Sequence, residues 1–357
     1  MASSDTSMTT RERVSAAMQH EEADRVPIWT LIDNAAILRR FAPDGIDMDA
    51  LSRGEKRWRD LMELHKSSAA ALGIDVIFLC CGNPANPFPR ECAEHKSSAT
   101  WDTEFVAPDK IRDCRLGEFD YDGWARGYVQ LMRNAAEIME PEVLVVDQMN
   151  TSLELLIGRL GLQGISLALH DAPGEVSRLL DDYSAHARRM AEVYADNALS
   201  FGYQVSGDIA CKGRTLFSPD FLRKEMIPRL AYEIEPLKNA GIKVAYHSDG
   251  DVSAVINDLV EAGIDALNPI EPTAGMDIGA VKARFGDNLT LIGNVDPNIM
   301  TIGTPDEVER DVIRCLEQAS AGGGHFVDTG AGELMPWFPA ENCIRMCEAV
   351  HRRGRYR

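Results

Sequence analysis

The second half of the chain alternates short apolar runs with stretches of helical periodicity, and this alternation constrains the fold more than any other feature. Residues 243–247 read as a strand that breaks at Ser248-Asp249-Gly250. The segments that follow alternate in the same way: helix 252–262, strand 264–269, helix 278–285, strand 289–294, helix 305–319, strand 325–327 and helix 340–352. Strands this apolar are buried on both faces, which is typical of a parallel sheet covered by helices.

The first half supplies further candidate strands at 26–32, 76–81, 143–148 and 204–211. Together with the later strands they make eight, the number that a (β/α)8 TIM barrel needs. A chain of 357 residues suits such a barrel with insertions. We therefore predict an α/β protein with one TIM-barrel domain over residues 1–357 and a helical lead-in at 1–24. A doubly wound open sheet is the alternative, because periodicity does not show whether a sheet closes.

Charge and composition exclude several classes of partner. The formal net charge of -19 argues against nucleic acid and anionic membrane surfaces, since both need a basic footprint. The glycine-rich phosphate-binding motifs GxGxxG and GxxxxGKS/T are both absent from the sequence. We also find no apolar run long enough to span a bilayer and no signal peptide. The 8 cysteines form no CxxC pair and read as reduced thiols, so we expect a cytoplasmic protein. Cys80 and Cys81 end the predicted apolar strand 76–81, which favours their burial.

Polar residues stand where the predicted strands end, and in a TIM barrel that end carries the active site. His247 and Asp249 close one strand, and Asp208 closes another. We take these three as catalytic candidates. Each also has a structural alternative: His247 would bond a neighbouring loop, and Asp249 and Asp208 would cap a helix or shape a turn.

Other polar side chains at predicted strand ends are candidates for contacting a substrate: Gln148, Asn150, Lys212, Asn268 and Asn294. Lys212 would either pair with a substrate carboxylate or neutralise Asp208. Trp29 would form an aromatic wall for a ring or a corrin face, or belong to the core.

Short motifs in a fixed order carry a family resemblance. They are TTRERVSAAM at 9–18, DRVPIW at 24–29, YHSDG at 246–250, LNPIEP at 267–272, IGNVD at 292–296 and PAEN at 339–342. Their order and spacing resemble those of the uroporphyrinogen decarboxylase superfamily. The resemblance implies a TIM barrel with its site at the carboxyl end of the strands. It also implies two functional branches, porphyrinogen decarboxylases and cobalamin-linked methyltransferases.

The chain departs from the decarboxylase branch at the residues that would bind substrate. That branch carries arginines after its Pro-x-Trp motif and an aspartate near the centre of the site. Here no arginine follows Trp29 until Arg39, and segment 77–81 is apolar, although Asp75 lies just before it. Unpaired carboxylates are costly to bring into a pocket, so a true uroporphyrinogen decarboxylase is disfavoured.

The methyltransferase branch binds zinc through a His-x-Cys pair and a distant cysteine between glycines. His247 matches the histidine, Asp249 stands at the position of the first cysteine, and Gly330-Ala331-Gly332-Glu333 has no cysteine. The resemblance thus implies a harder zinc set of His247 with Asp249 or Glu333. Such a set suits a Lewis acid acting on an oxygen or nitrogen substituent.

We therefore predict a methyltransferase that moves a methyl group between a small methylated substrate or carrier and a corrinoid (cobalamin). A separate partner protein would hold the corrinoid, since the chain has no Asp-x-His-x-x-Gly run. The first alternative is a metal-free decarboxylase or lyase on a small carboxylated substrate, with His247 and Asp208 as acid-base groups. The second is a non-catalytic corrinoid- or tetrapyrrole-binding protein. The oligomeric state stays open, a homodimer included.

Overall fold

The computed structural model describes residues 7–47, 58–80, 111–112 and 114–356. Its strands are β1 (Leu31–Ile32), β2 (Val76–Leu79), β3 (Leu144–Asn150), β4 (Gly202–Ser206), β5 (Ala210–Cys211), β6 (Arg214–Thr215), β7 (Lys243–His247), β8 (Ala266–Asn268), β9 (Thr290–Ile292), β10 (His325–Phe326) and β11 (Glu333–Leu334). Seven of them form a parallel sheet in the order β10-β9-β8-β7-β4-β3-β2.

The segment before β1 closes this sheet into a barrel. Ile28 bridges to Val327 after β10, and Trp29 bridges to Val76 at the start of β2, both in parallel. The predicted TIM barrel is therefore confirmed, and the open sheet is wrong. One predicted strand, 204–211, differs: β4 ends at Ser206, and β5 belongs to a small antiparallel hairpin with β6.

Helices cover the outside of the barrel. They are α1 (Thr10–Met18), α2 (Ala35–Arg40), α3 (Trp58–Leu72), α4 (Tyr121–Met139), α5 (Ser152–Asp171), α6 (Pro173–Asp196), α7 (Pro219–Phe221), α8 (Ile227–Asn239), α9 (Ile256–Ala262), α10 (Ile278–Phe285), α11 (Pro297–Ile302), α12 (Pro305–Ala319) and α13 (Ala340–Arg353). The predicted helical N-terminal region is present as α1. It begins at a capping box in which Thr9 and Glu12 bond each other's backbone N–H groups.

Strand alternation divides the barrel interior into two zones. The zone at the amino ends of the strands is an apolar cluster that includes Trp29, Val146, Ala245, Ala266 and Phe326. Because side chains alternate between faces along a strand, residues two positions further along β3, β7 and β8 face the same interior. Those residues are polar: Gln148, His247 and Asn268. The sequence pattern thus places a polar zone at the carboxyl ends of the strands, which we call the mouth.

The amino end of the barrel is tied together by a buried ion-pair network. Asp75, 1 % exposed, accepts hydrogen bonds from Arg13 and Arg25, both at 2.8 Å, and from the backbone N–H of Ile28 at 2.9 Å. Arg13 also bonds Asp24 at 2.7 Å. Asp75 therefore joins α1, the closing segment and β2, and lies at the opposite end of the barrel from the mouth.

Among the described residues, α5 is the helix whose length and composition would allow a membrane span, and 56 % of the tested stretch is buried inside the protein. It packs against α6 and carries Glu154 in its first turn. Packing within the barrel thus gives its apolar residues a partner, which composition alone does not show.

A buried carboxyl between α5 and α8 makes stability depend on pH. Glu233, 3 % exposed, accepts a hydrogen bond from the backbone N–H of Ser152 at 3.4 Å. Burial raises the pKa of Glu233 from 4.5 to about 7. The folded state therefore holds this proton more tightly than the unfolded chain, and stability falls as the pH rises from 4.5 to about 7.

Replacing Glu233 by glutamine removes that titration. We expect Glu233→Gln to unfold at higher urea concentration than wild type at about pH 8, with a smaller difference at about pH 5. Urea unfolding at both pH values measures this. A variant that loses the same stability at both pH values would contradict the assignment of the proton to Glu233.

Candidate active site

The site is built around His247, the last residue of β7. Strand register places His247 beside Ser206 of β4 and Asn268 of β8. Its side chain is 15 % exposed and faces the mouth. Nε2 of His247 lies 4.0 Å from Oδ1 of Asp208 and 3.9 Å from Oδ1 of Asp249. The structure thus brings the three predicted catalytic residues together.

Backbone hydrogen bonds hold the carboxylate of Asp208 and the loops that carry Asp208 and Asp249. The N–H of Asp249 donates to Oδ1 of Asp208 at 3.0 Å, and the N–H of Asp208 donates to Oε2 of Glu154 at 3.2 Å. The N–H of Gly250 donates to Oε2 of Glu271 at 2.7 Å. Gly250 has φ +89°, and a Cβ there would come within 2.4 Å of the β5 backbone. The Asp-Gly sequence therefore fixes a tight loop beside the histidine.

Burial and the neighbouring charges together shift the pKa values of His247 and Asp249. Burial disfavours the charged imidazole, but the carboxylates of Asp249 and Asp208 outweigh it, so the pKa of His247 is raised. Burial raises the pKa of Asp249 to about 6, with His247 lowering it and Asp208 raising it. The cluster therefore retains protons into the neutral range unless a cation replaces them.

The donor set suits a metal ion. One ligand atom each from Asp208, His247 and Asp249 lies within 4.8 Å of the others. Oδ1 of Asp249 is buried and has no hydrogen-bond partner among the described residues. An imidazole nitrogen with two carboxylate oxygens is a set that zinc accepts, and a cation would satisfy the unpartnered oxygen. These residues therefore fit the predicted metal, with Asp208 as the third member.

Glu333, which the sequence suggested as a metal ligand, lies outside that cluster. It begins β11, whose partner is β1. Burial raises the pKa of Glu333 to about 7, and Asp33 raises it further while His247 lowers it. Its charge acts on the histidine cluster from the β1 side of the barrel.

Two predicted substrate contacts and one cysteine line the inner wall. Nε2 of Gln204 donates to Oε1 of Gln148, and Nε2 of Gln148 lies 3.9 Å from Sγ of Cys80. Asn150, at the end of β3, is half-buried. The expected burial of Cys80 is wrong: β2 ends at Leu79 and the thiol is exposed. Cys81 lies outside the described residues.

Three other predicted substrate contacts, Trp29, Asn294 and Lys212, lie away from the His247 cluster. Trp29 is 1 % exposed and packs edge-on against Phe326 in the apolar zone, so its place favours the core alternative. Asn294 is fully buried. Its NH2 group donates a hydrogen bond to the carbonyl of Ile270, and its amide oxygen accepts one from Arg314.

Lys212 is exposed at the tip of the β5–β6 hairpin and forms no ion pair within the described part of the chain. It does not neutralise Asp208.

Sequence reasoning missed three acidic residues at this site. Glu154 stands three residues after Thr151, the spacing of a capping box, and Thr151 does cap α5. The sequence pattern therefore suggests a capping role for Glu154 and gives no sign of its contact with Asp208. Asp328 directly follows the predicted strand 325–327, so the strand-end rule would have found it. Burial raises the pKa of Asp328 to about 8. Glu271 sits in the LNPIEP motif, two residues after the proline.

Gly332 lies where a side chain would have no room beside the histidine ring. It has φ +74°, and a Cβ would lie 2.9 Å from Cε1 of His247 and 3.0 Å from Oδ1 of Asn268. We expect Gly332→Ala to displace the ring and lower activity by roughly tenfold to a hundredfold. Gly241→Ala is the control for backbone strain, since Gly241 has φ +73° with nothing within 4 Å. Equal activity in both variants, measured as kcat/KM, would contradict this contact.

Comparison with known proteins agrees with this architecture. The family model described as uroporphyrinogen decarboxylase (URO-D) matches residues 157–353. A uroporphyrinogen decarboxylase of Saccharophagus degradans is 26 % identical over 358 residues, covering 90 % of this chain and 97 % of the relative. Another, from Methylobacillus flagellatus, is 37 % identical over 95 residues, covering 26 % and 24 %.

Among solved structures, a methyltransferase from Methanosarcina mazei superposes with a TM-score of 0.73 at 17 % identity, covering 97 % of this chain and 99 % of that one. At this identity the likeness shows the fold. The family match extends over more than half of the chain, in agreement with the motifs found in the sequence. The chain belongs to the uroporphyrinogen decarboxylase (URO-D) family.

Proposed function

We propose that this protein is a methyltransferase that moves a methyl group between a small methylated compound and a corrinoid carried by a partner protein. The observation that supports the proposal most is the cluster of Asp208, His247 and Asp249 at the carboxyl ends of the strands, with ligand atoms within 4.8 Å of one another. The solved structure from Methanosarcina mazei that shares the fold is named a methyltransferase.

The residues of the cluster and two neighbouring glutamates would have different roles. Nε2 of His247 and one oxygen each of Asp208 and Asp249 would hold a zinc ion, which when bound supplies a Lewis acid for the heteroatom that carries the methyl group. Oε2 of Glu154 accepts a hydrogen bond from the backbone N–H of Asp208 at 3.2 Å and so holds the loop that carries Asp208. Glu333, with its pKa raised to about 7, would take up or release a proton at neutral pH.

The charge of the mouth disfavours a polycarboxylate substrate. Within the described part of the chain, the basic side chain at the cluster is His247, and Lys212 is exposed at the tip of the β5–β6 hairpin. The acidic residues Asp208, Asp249 and Glu333 surround the same space. A substrate with many carboxylates would meet repulsion here, although the relatives from Saccharophagus and Methylobacillus are named uroporphyrinogen decarboxylase.

One observation favours a second candidate function. The raised pKa of His247 makes a metal-free cluster hold a proton, which is what an acid-base decarboxylase or lyase on a small monocarboxylate would use. In that case Asp208 would orient the imidazolium, and no corrinoid would take part.

A corrinoid assay separates the two candidates. Purified full-length protein, supplied with zinc, is incubated with reduced cobalamin and a panel of methylated oxygen and nitrogen compounds, and the corrinoid absorption spectrum is followed. The proposal predicts conversion to methylcobalamin with at least one compound. Release of carbon dioxide from a small carboxylate, with no corrinoid change across the panel, would overturn it in favour of the lyase.

A further inference from the structure

Two buried residues support the Nδ1 side of the His247 ring: Asn268 contacts the ring, and Asp328 contacts Asn268. Nδ1 of His247 lies 2.6 Å from Oδ1 of Asn268, and Nδ2 of Asn268 donates to Oδ2 of Asp328 at 3.3 Å. Asn268 and Asp328 are both 0 % exposed. The three side chains form a continuous hydrogen-bonded chain that ends at Nδ1 of His247.

Asp328 determines which way the amide of Asn268 points. Its Oδ1 accepts from the backbone N–H of Thr329 at 2.7 Å, and its Oδ2 faces Asn268. An amide NH2 group donates and a carbonyl oxygen accepts, so the NH2 group of Asn268 faces Asp328 and the carbonyl faces His247. This orientation applies to the ionised carboxylate of Asp328, in which both oxygens can only accept.

The orientation of Asn268 in turn dictates where His247 carries its proton. A carbonyl oxygen accepts but does not donate, so Nδ1 must bear hydrogen, and the neutral ring then leaves a lone pair on Nε2. Nε2 is the atom that faces Asp208 and Asp249, at 4.0 and 3.9 Å. Gly332 packs against the ring edge, which limits rotation.

We propose that Asn268 and Asp328 are positioning residues that set the Nδ1–H tautomer of His247 and thereby prepare Nε2 to bind a cation. Metal-binding histidines commonly depend on an outer hydrogen bond of this kind. The metal-binding half of this inference rests on the proposed function. The tautomer does not, and it can be measured without metal or substrate.

Nitrogen NMR of metal-free, full-length protein with 15N-labelled histidine tests the tautomer. The spectrum is recorded at alkaline pH, where the ring is neutral. We expect a protonated-type shift for Nδ1 and a lone-pair-type shift for Nε2 of His247, identified by its absence in His247→Ala. Asn268→Leu should move the proton to Nε2, whereas Asn268→Asp, which keeps an acceptor at that place, should retain the tautomer.

Zinc titration of the same variants tests the consequence. Asn268→Leu is expected to weaken Zn²⁺ binding by about 10–100-fold, and Asn268→Asp to restore most of it. Asn342→Leu is the control for loss of a buried asparagine, since Asn342 is 2 % exposed in α13 and bonds Met300 and Gly303. It should change stability without changing the tautomer or Zn²⁺ binding.

The outcomes distinguish this inference from the proposed function. A proton on Nε2 in wild type, or a tautomer unchanged in Asn268→Leu, overturns the positioning role. The expected tautomers without any Zn²⁺ binding in wild type support the positioning role and overturn the proposed metal site instead.

Discussion

Replacing His247 by alanine is expected to lower turnover by about 10²–10⁴-fold while the protein stays folded. The ring is the centre of the cluster, with Asp208 and Asp249 on one side and Asn268 on the other. Its removal leaves two carboxylates with neither a cation nor a proton donor between them. The effect should fall on kcat more than on KM, because the ring acts on the reacting group.

The control for this variant is His170→Ala. His170 lies in the last turn of α5 with its side chain 88 % exposed, so its loss removes a histidine without touching the mouth. We expect wild-type kinetics from the control and an unchanged circular dichroism spectrum from both variants. Full activity in a folded His247→Ala protein would contradict every mechanism considered for this site.

The largest effect on stability is expected from Asp75→Ala, at about 3–5 kcal/mol lost from the free energy of unfolding. Asp75 accepts hydrogen bonds from two guanidinium groups, and the side chains of Arg13 and Arg25 are 8 % and 12 % exposed. Removing the carboxylate leaves both positive charges buried without their shared partner. It also removes the acceptor for the N–H of Ile28, where the barrel closes.

Urea unfolding measures this loss, with Glu63→Ala as the matched control. Glu63 pairs with Arg59 over 3.9 Å on the surface, with side chains 41 % and 78 % exposed. Exposed pairs of this kind contribute about 0–1 kcal/mol. If Asp75→Ala and Glu63→Ala lost equal stability, the buried network would not be what fixes the closing segment.

The barrel was predictable because its strands are short, apolar and separated by helices with clear ends. The same pattern located His247 and Asp249, since a polar residue after a buried strand lies at the mouth of a parallel barrel. Asp208 was found by the same rule, even though β4 ends at Ser206, five residues before the end of the predicted strand 204–211. Local pattern thus specified which segments form strands, but not the residue at which each strand ends.

Side-chain direction was not predictable from the pattern. Lys212 and Asn294 both follow strands, but one lies on an exposed hairpin and the other is turned toward Ile270 and Arg314. Cys80 was expected in the core because the predicted strand 76–81 is apolar, yet β2 ends at Leu79, two residues earlier. A difference of two residues in a strand end thus decides whether a side chain lies in the core or at the mouth.

The third member of the ligand cluster depended on tertiary geometry. Glu333 was suggested by resemblance, while the structure groups Asp208 with His247 and Asp249. Asp208 and Asp249 belong to loops after neighbouring strands β4 and β7, and a backbone N–H of one bonds the carboxylate of the other. Sequence spacing carries no information on such a contact between strands.

The measurement that tests the metal site most directly is metal content by plasma mass spectrometry, after reconstitution with zinc and removal of free metal. The account predicts stoichiometric zinc in wild type and in Glu333→Gln, and its loss in His247→Ala and Asp208→Asn. Absence of zinc from wild type, or its retention in folded His247→Ala, would contradict a metal centre formed by Asp208, His247 and Asp249.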